Sequence, residues 1–229
     1  MASPATREDS QDVTVVIFTG GDPPGRQAVA GLPGDALVIC ADSGAHHALA
    51  LGWRPHIVVG DLDSVVPTEL AQAISLGAEI LRHPVEKDQT DLALALDVAV
   101  ARRPGARLVV VGGGGGRLDH LLANILLLAS DAYVGHAVQA RMGAAVATVV
   151  RGRSVLYARP GDLVSLLALG GYASGVTTHG LRYRLTDAVL QPGSSWGVSN
   201  AFDGEEASVE VLGGVLLAIQ PGEAAPPMA

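Results

Sequence analysis

Two aspartates lie one residue apart, directly after a short apolar run in the first third of the chain. The run is Ile57–Val59, and Gly60 separates it from Asp61, Asp63 and Ser64. Because side chains at positions i and i+2 of a strand point to the same side, Asp61 and Asp63 are expected to lie side by side where a strand opens into a loop. Two such carboxylates repel each other unless a cation neutralises them, and oxygen ligands suit Mg²⁺ shared with phosphate groups. In the structural alternative, Asp63 or Ser64 only caps the next helix.

A second acidic segment, Glu86–Asp91, lies at the predicted start of a helix. Asp88 and Asp91 are three residues apart, so they share a face near the positive end of the helix dipole. Thr90 or Asp88 is the expected cap, and acidic residues in a first turn are also ordinary in structural helices. Lys87 lies among these carboxylates as either a surface ion pair or a phosphate ligand.

A run of five glycines, Gly112–Gly116, precedes Arg117. Glycines let the backbone approach a ligand closely and point N–H groups at an anion, and a guanidinium can hold phosphate with two donors. The segment is neither a Walker loop nor a dinucleotide fingerprint. In the structural alternative, Arg117 and Asp119 form an ion pair in a loop without chemical consequence.

One tryptophan lies in a polar segment of the second half, within Gly193–Asn200. Turn formation alone explains the glycines, serines and asparagine there. Trp196 is less expected, because aromatic residues make up 3% of the chain. It offers a flat surface for a heteroaromatic ring, and it can equally cover the core.

Alternating strand and helix patterns position these residues in the first two thirds of the chain. Apolar runs typical of buried strands are Val13–Phe18, Ala36–Cys40, Ile57–Val59, Ala78–Leu81 and Arg107–Val111. Helical patterns between and after them are Ala45–Leu51, Pro67–Leu76, Thr90–Ala101 and Leu118–Ala129. Continuous apolar strands separated by helices predict a parallel sheet covered on both faces. Asp42, the aspartate pair and the glycine run all follow strands, where ligands of such sheets bind.

The pattern changes between Thr148 and Gly161, and no helix is predicted after that point. Short apolar runs follow, at Leu163–Leu169, Tyr172–Thr178, Leu181–Leu185, Ala207–Leu212 and Val215–Ile219. Pairs such as Gly170-Gly171 and Gly213-Gly214 separate several of them as predicted turns. The pattern predicts an antiparallel β-sandwich or barrel-like unit.

Composition limits the possible classes of function. The chain has 229 residues, 48% hydrophobic and 17% charged, which favours one large or two small folded domains. A net charge of −8 argues against a general nucleic-acid surface. A single cysteine, Cys40, excludes an intrachain disulfide and is expected in the core. Met1–Asp12 has no apolar signal core and no run is long enough to span a bilayer, so we expect a cytoplasmic protein without membrane partners.

Six short motifs in order resemble the thiamine pyrophosphokinase family. They are Ala-Asp-Ser-Gly-Ala at 41–45, Gly-Asp-Leu-Asp-Ser at 60–64, Lys-Asp-Gln-Thr-Asp at 87–91, Gly-Gly-Arg-Leu-Asp-His at 115–120, Gly-Leu-Arg-Tyr-Arg-Leu at 180–185 and Val-Ser-Asn at 198–200. The resemblance implies a Rossmann-like α/β nucleotide domain with a parallel sheet, followed by an all-β sandwich that binds thiamine. We place these domains at residues 1–155 and 156–229. The implied activity is Mg²⁺-dependent transfer of diphosphate from ATP to thiamine, which gives thiamine diphosphate and AMP.

The resemblance also implies roles for particular residues. The catalytic set is Asp61, Asp63, Asp91, Arg117 and Asp119, and the first three would hold Mg²⁺. Residues expected at ATP are Asp42, Ser64, Lys87, Gly115, Gly116 and Arg117. Residues expected at thiamine are Trp196, Ser199 and Asn200, although Trp196 belongs to no motif that aligns with the family. The family works as a homodimer, so composite active sites between protomers are expected.

Two other classes of function stay open. A non-catalytic nucleotide-binding regulator with this fold would not need the intact set of Asp61, Asp63, Asp91 and Arg117. Another Mg²⁺-dependent transferase with paired aspartates would not need the second, β-rich half. Release of AMP that depends on both ATP and thiamine distinguishes all three.

Overall fold

The computed structural model describes residues 13–222. The predicted N-terminal segment Met1–Asp12 and residues 223–229 of the predicted C-terminal tail lie outside the described residues. The chain divides into two compact units. The first, called the α/β unit, contains residues up to Leu127 together with Gly135–Gly143. The second, called the β unit, contains Leu128–Val134 and the residues from Ala144 onward.

Parallel strands form the sheet of the α/β unit, as predicted. They are β1 (Thr14–Phe18), β2 (Leu37–Ala41), β3 (Ile57–Gly60), β4 (Glu79–Arg82), β5 (Arg107–Val111) and β6 (Val138–Met142). Their order is β4-β3-β2-β1-β5-β6, and every neighbouring pair is parallel. From β1, strands β2, β3 and β4 follow one another towards one edge of the sheet. Strands β5 and β6 then lie on the other side of β1. The order therefore reverses between β1 and β5, which is where ligands bind in open sheets of this kind.

Four helices of the described chain lie close to their predicted positions. They are α1 (Gly44–Ala50), α2 (Pro67–Ser75), α3 (Asp91–Arg102) and α4 (Leu118–Leu128). Thr90 is the cap of α3, because its hydroxyl oxygen accepts a hydrogen bond from the N–H of Ala93 over 3.3 Å. This cap leaves Asp91 in the first turn of the helix, at the carboxyl end of the neighbouring strands.

Alternate residues of the central strands build one apolar core of the α/β unit. This core includes Val16, Phe18, Val38, Cys40, Val58, Val109 and Val111. The strands are buried along nearly their whole length, which explains why their sequences lack polar alternation. Cys40 is fully buried as expected, and burial raises the pKa of its thiol.

The β unit is built from antiparallel strands. They are β7 (Ala145–Val150), β8 (Arg153–Tyr157), β9 (Leu163–His179), β10 (Ala188–Leu190), β11 (Asn200–Ala201), β12 (Glu206–Glu210) and β13 (Gly213–Gln220). The main order is β7-β13-β9-β12-β8, and β10 and β11 also pair with β9. A separate apolar core around Leu166, Leu181 and Phe202 supports these strands. The mixed α/β class is thus confirmed, whereas sandwich packing stays a prediction.

Strand β9 corrects one sequence expectation. Gly170-Gly171 was expected to separate two strands. Instead, β9 is 17 residues long and continues through this pair. Gly170 and Gly175 have φ angles of +70° and +65°, which only glycine adopts readily. They bend the strand instead of reversing the chain, so that β9 pairs with β13 along its first part and with β12 near its end.

The segment Leu181–Leu185 corrects another, because it forms an isolated bridge and no strand. Side chains satisfy part of its backbone, while Arg182 donates its N–H to the carbonyl of Ala201. Asn200 binds both polar backbone groups of Tyr183, and the hydroxyl of Thr178 accepts from the N–H of Leu185. The alternating apolar residues that predicted a strand here are Leu181 and Leu185, and they are apolar because both are buried, at most 6% exposed.

Two broader expectations stay predictions. The boundary between residues 155 and 156 divides the chain by function, whereas the compact units describe packing.

None of the helices in residues 13–222 has the length and apolar character needed to cross a membrane. The cytoplasmic location also stays a prediction.

Candidate functional site

A cleft of about 420 Å³ lies at the carboxyl ends of the parallel strands in the α/β unit. Its walls come from the loops after β1, β2, β3 and β5 and from the segment that leads into α3. Most residues that the sequence predicted at ATP or metal line it, namely Asp42, Asp63, Ser64, Lys87, Asp91, Gly115, Gly116 and Arg117. The topology thus brings together residues as far apart as 42 and 117.

Close packing of two loops explains several glycines of the cleft. The N–H of Gly113 donates to the carbonyl of Gly20 over 2.7 Å, which joins the β5 loop to the β1 loop. A Cβ at Gly21 would lie 2.5 Å from the carbonyl oxygen of Gly114, and one at Gly112 would lie 2.5 Å from that of Thr19. Both contacts are too short for a real side chain. The glycines therefore permit the loop contact at the point where the strand order reverses.

Three carboxylates form an acidic group beside this contact. Asp42, Asp61 and Asp91 each offer one oxygen, and these oxygens lie within 4.8 Å of one another. Gly60 makes room for the group, because a Cβ there would lie 2.9 Å from Oδ1 of Asp91. Asp42 is only 8% exposed, and its Oδ1 has no hydrogen-bond partner among residues 13–222. Burial first, and then the negative charge of Asp91 and Asp61, raise the pKa of Asp42.

Lys87 lies directly against this acidic group. Its Nζ is 2.6 Å from Oδ2 of Asp61 and 3.2 Å from Oδ1 of Asp91. The hydrogen bond from Lys87 lowers the pKa of Asp61, and the same bond raises the pKa of Lys87. Lys87 and Asp61 are therefore both charged at neutral pH.

Asp61 and Asp63 meet through a loop and not along a strand, which corrects the geometric argument made from the sequence. Strand β3 ends at Gly60, and Leu62 has a φ of +65°, so strand alternation does not apply. The N–H of Asp63 donates to Oδ1 of Asp61 over 3.2 Å, and the hydroxyl of Ser64 donates to Oδ1 of Asp63 over 2.9 Å. Asp63 is exposed and lines the cleft beside the acidic group.

Arg117 and Asp119 form an ion pair at the edge of the cleft. Nη2 of Arg117 lies 2.6 Å from Oδ2 of Asp119, and Nε donates to Oδ1 over 3.2 Å. The guanidinium holds the pKa of Asp119 at about 2. The Arg117 side chain is 72% exposed, so Asp119 orients a guanidinium that solvent and ligands can reach. His120 also lines the cleft.

Two features of the cleft were missed from the sequence. Asp42 was assigned to the nucleotide, whereas the structure joins it to the acidic group. Asn124 lines the cleft from α4 and is 9% exposed. A single amide in the apolar helix LDHLLANILLL was the available signal for Asn124. The sequence showed that Asp42 follows a buried strand, but this position does not show which carboxylates lie next to it.

A separate pocket of about 230 Å³ lies in the β unit. Trp196 and Tyr183 line it, and their side chains are 57% and 64% exposed. Leu185 and Val198 add apolar surface. Two exposed aromatic rings beside aliphatic side chains form a surface that suits a planar ring.

The Ser199-Asn200 pair has a strong structural role in this region. The amide of Asn200 is 3% exposed and binds the backbone of Tyr183 and the N–H of Ala201. Ser199 has a φ of +57°, and its N–H donates to the hydroxyl of Ser165 over 3.1 Å. Asn200 lines the pocket, but its side-chain amide is already hydrogen-bonded to the backbone of Tyr183 and Ala201.

Fold and cleft together define the class of this protein. It is a doubly wound α/β protein whose cleft offers carboxylate ligands for a cation beside N–H and guanidinium donors suited to phosphate, with a β-rich unit attached. The thiamin pyrophosphokinase catalytic domain pattern matches residues 32–138, and the thiamin pyrophosphokinase vitamin B1 binding domain pattern matches residues 154–216. The chain belongs to the thiamine pyrophosphokinase family, as its motifs predicted.

Individual relatives agree with this assignment. The chain is 27% identical over 194 residues to thiamine pyrophosphokinase of Bacillus subtilis, with 80% of this chain and 86% of the relative covered. The crystal structure of the Bacillus subtilis thiamine pyrophosphokinase matches 92% of this chain and all of that chain, with a TM-score of 0.79 and 24% identity. A thiamin pyrophosphokinase family protein from Enterococcus faecalis matches 93% of this chain and 100% of its own, with a TM-score of 0.77 and 25% identity. The predicted enzyme class is therefore confirmed.

Proposed function

We propose that this chain transfers the terminal diphosphate of ATP to the hydroxyethyl oxygen of thiamine, which gives thiamine diphosphate and AMP. The observation that carries the proposal is one cleft that contains three carboxylates, an ammonium group and a glycine loop ending in an exposed arginine. Transfer of phosphoryl groups depends mainly on positioning and charge neutralisation, and this cleft has groups for both. Family membership specifies thiamine as the acceptor.

The acidic group fits Mg²⁺ by the chemistry of its donors. Asp42, Asp61 and Asp91 offer only carboxylate oxygens, and the buried Oδ1 of Asp42 lacks a hydrogen-bond partner in the part of the chain that the structure describes. Such ligands are typical of Mg²⁺ sites that share the ion with phosphates. Asp63 belongs to the same proposed site, because it binds Asp61 through its N–H and lines the cleft. A bound ion would supply positive charge to phosphate oxygens.

The phosphate groups of ATP would be held mainly from the β5 loop. Glycines at 115 and 116 have φ angles of +71° and +62° and leave the loop backbone accessible. Arg117 can donate two parallel hydrogen bonds to one phosphate, and Asp119 limits the orientations of its guanidinium. Ser64 and Lys87 line the same cleft, where the ammonium of Lys87 can donate a further hydrogen bond and the hydroxyl of Ser64 can donate to phosphate in place of Asp63.

Thiamine would bind in the pocket of the β unit. Trp196 offers an exposed ring as a surface for a heteroaromatic ring. Ser199 stays a predicted thiamine contact, in the chain between the lining residues Val198 and Asn200. We assign Asn200 an indirect role, since its amide fixes the backbone of Tyr183, which also lines the pocket. This assignment refines the family-based expectation that Asn200 touches thiamine.

A homodimer with composite active sites is part of the proposal. Leu118, Leu122 and Leu126 recur every four residues on α4 and are 67%, 54% and 60% exposed. Leucines at this spacing form one continuous stripe on a helix. An apolar stripe of this kind is favourable in water only when a partner covers it. A second copy of this chain is the partner that the family resemblance implies.

The test is incubation of the purified chain with ATP, Mg²⁺ and thiamine, followed by chromatographic measurement of AMP and thiamine diphosphate. We expect both products in equal amounts, and none when thiamine or Mg²⁺ is omitted. AMP formed without thiamine would indicate a different transferase or a hydrolase. Binding of ATP without formation of either product would indicate a regulator.

A further inference from the structure

Lys87 is the only lysine in the sequence. The chain has 15 lysine and arginine residues in total, and the other fourteen are arginines. Lysine side chains normally keep their ammonium group in water. The side chain of Lys87 is only 14% exposed, and its Nζ contacts both Asp61 and Asp91. The one ammonium side chain of the protein thus lies within the proposed cation site.

This ammonium neutralises the acidic group incompletely. Lys87 contacts two of the three carboxylates, while Oδ1 of Asp42 stays buried without a hydrogen-bond partner among the described residues. One ammonium group faces three carboxyl groups. A divalent cation has twice the charge, and the three ligand oxygens are close enough together to contact one ion.

We infer that Lys87 is an exchangeable counter-ion, which holds the acidic group in the metal-free protein and leaves it when a divalent cation binds. A divalent ion and an ammonium repel each other strongly within a few ångströms in a partly buried site. The lysine stem is long and flexible, so the ammonium can move into the cleft without a change in the backbone. This inference rests on the proposed function only in taking the acidic group as a cation site.

The released ammonium has an evident second partner. Lys87 lines the same cleft as Gly115, Gly116 and Arg117, where phosphate groups are proposed to bind. A phosphate ligand would stabilise the displaced position of Lys87 and so favour metal binding. Metal and nucleotide should therefore bind with positive cooperativity, and each should raise the affinity for the other by the same factor.

The alternative is that Lys87 is a permanent ion pair that fixes the loop before α3. In that case, its removal would loosen the acidic group and weaken metal binding. An exchangeable counter-ion predicts the reverse, because removal of a competing charge strengthens metal binding. The two roles therefore differ in the sign of one measurable change.

Calorimetric titration of Mg²⁺ into the protein without nucleotide or thiamine measures that change. We expect Lys87→Gln to raise Mg²⁺ affinity about fivefold or more, since about 1 kcal/mol of competing ion pairing corresponds to that factor. The matched control is Arg102→Gln, which removes one positive charge from an exposed pair with Glu79 on the same unit. Its effect should stay under about twofold, because solvent and salt screen exposed charges.

A second measurement uses the wild-type chain and does not depend on a variant. Selective ¹³C-lysine labelling gives a single side-chain Cε–Hε signal, since Lys87 is the only lysine. Saturating Mg²⁺ should shift this signal towards the position of a free lysine. An unchanged signal, an unchanged or weaker affinity in Lys87→Gln, or absence of Mg²⁺ binding to both proteins would each overturn the inference. The transferase assay tests the proposed function separately, because product formation does not require Lys87 to exchange.

Discussion

Asn200 holds the backbone of Tyr183 through both of its polar groups. The N–H of Tyr183 donates to Oδ1 of Asn200 over 2.9 Å, and Nδ2 of Asn200 donates to the carbonyl of Tyr183 over 2.7 Å. Oδ1 also accepts from the N–H of Ala201 over 2.9 Å. One buried amide therefore holds both backbone groups of Tyr183, whose side chain lines the pocket of the β unit.

The first prediction is that Asn200→Ala destabilises the protein and weakens thiamine binding. The substitution leaves the partly buried N–H and carbonyl of Tyr183 without their side-chain partner, and loss of each hydrogen bond costs about 0.5–1.5 kcal/mol. Denaturant unfolding followed by circular dichroism measures the loss. Ser194→Ala is the control, because Ser194 accepts one hydrogen bond from Trp196 in an exposed turn and should change stability by less than about 0.5 kcal/mol. Equal unfolding midpoints for Asn200→Ala and the wild type would contradict the structural role.

The parallel sheet and the location of its site could be predicted from the sequence for a physical reason. A strand buried on both faces needs apolar residues at every position, so Val13–Phe18 and Arg107–Val111 were recognisable as strands. Residues after such strands meet at one edge of the sheet whatever the details of their loops. Asp42, the aspartate pair and the glycine run were therefore expected at one edge of the sheet, and Asp42, Asp63 and Gly115 line the cleft there.

Contacts within the cleft could not be predicted, because they depend on tertiary packing. Sequence spacing paired Asp61 with Asp63, whereas the parallel pairing of β2 with β3 brings Asp42 close to Asp61. The same limit applies to the β unit. Gly170-Gly171 reads equally well as a turn or as a bend in a long strand, and only the pairing of β9 with β13 distinguishes the two.

The second prediction is that Asp63→Asn lowers turnover by about a hundredfold and leaves the fold intact. The substitution is nearly isosteric but removes one negative charge from the edge of the acidic group, where supporting residues typically contribute ten- to hundredfold. Steady-state rates of thiamine diphosphate formation at saturating Mg²⁺ measure the effect. Asp35→Asn, at an exposed position outside the cleft, should leave the rate unchanged. Wild-type turnover in Asp63→Asn would exclude Asp63 from the catalytic set.

The third prediction is that lysine cannot replace Arg117. Lysine keeps the charge but lacks the planar group that donates two parallel hydrogen bonds to phosphate and to Asp119. We expect kcat/KM for ATP to fall about ten- to hundredfold, the range for loss of a charge-assisted hydrogen bond. Arg159→Lys, in the β unit, is the control for the exchange of residue type. If Arg117→Lys matches the wild type, the residue supplies only positive potential.

The fourth prediction is that Asp42→Asn stabilises the metal-free protein at neutral pH. Burial and the neighbouring carboxylates disfavour the charged form of Asp42, as the raised pKa indicates. Replacement by a neutral amide removes this penalty, and substitutions of this kind at functional sites typically add about 0.5–2 kcal/mol. The difference should shrink as the pH falls towards about 4, since the wild-type carboxyl is then also neutral. Urea unfolding at several pH values in the presence of EDTA measures it, and a difference that grows at low pH would contradict the argument.

The fifth prediction is that two inactive variants restore activity when their subunits exchange. Asp63→Asn damages the nucleotide side and Trp196→Ala damages the thiamine side, and Trp196 is exposed enough that its loss should not unfold the chain. If each site combines the nucleotide side of one protomer with the thiamine side of the other, a mixed dimer contains one doubly damaged site and one intact site. An equal mixture should then recover about a quarter of wild-type activity, because about half of the dimers are mixed and each has one working site of two. Leu122→Glu in both variants is the control, since a charge in the exposed leucine stripe should prevent dimer formation and abolish the recovery. Folded, exchanging variants that recover no activity would show that each protomer builds its own active site.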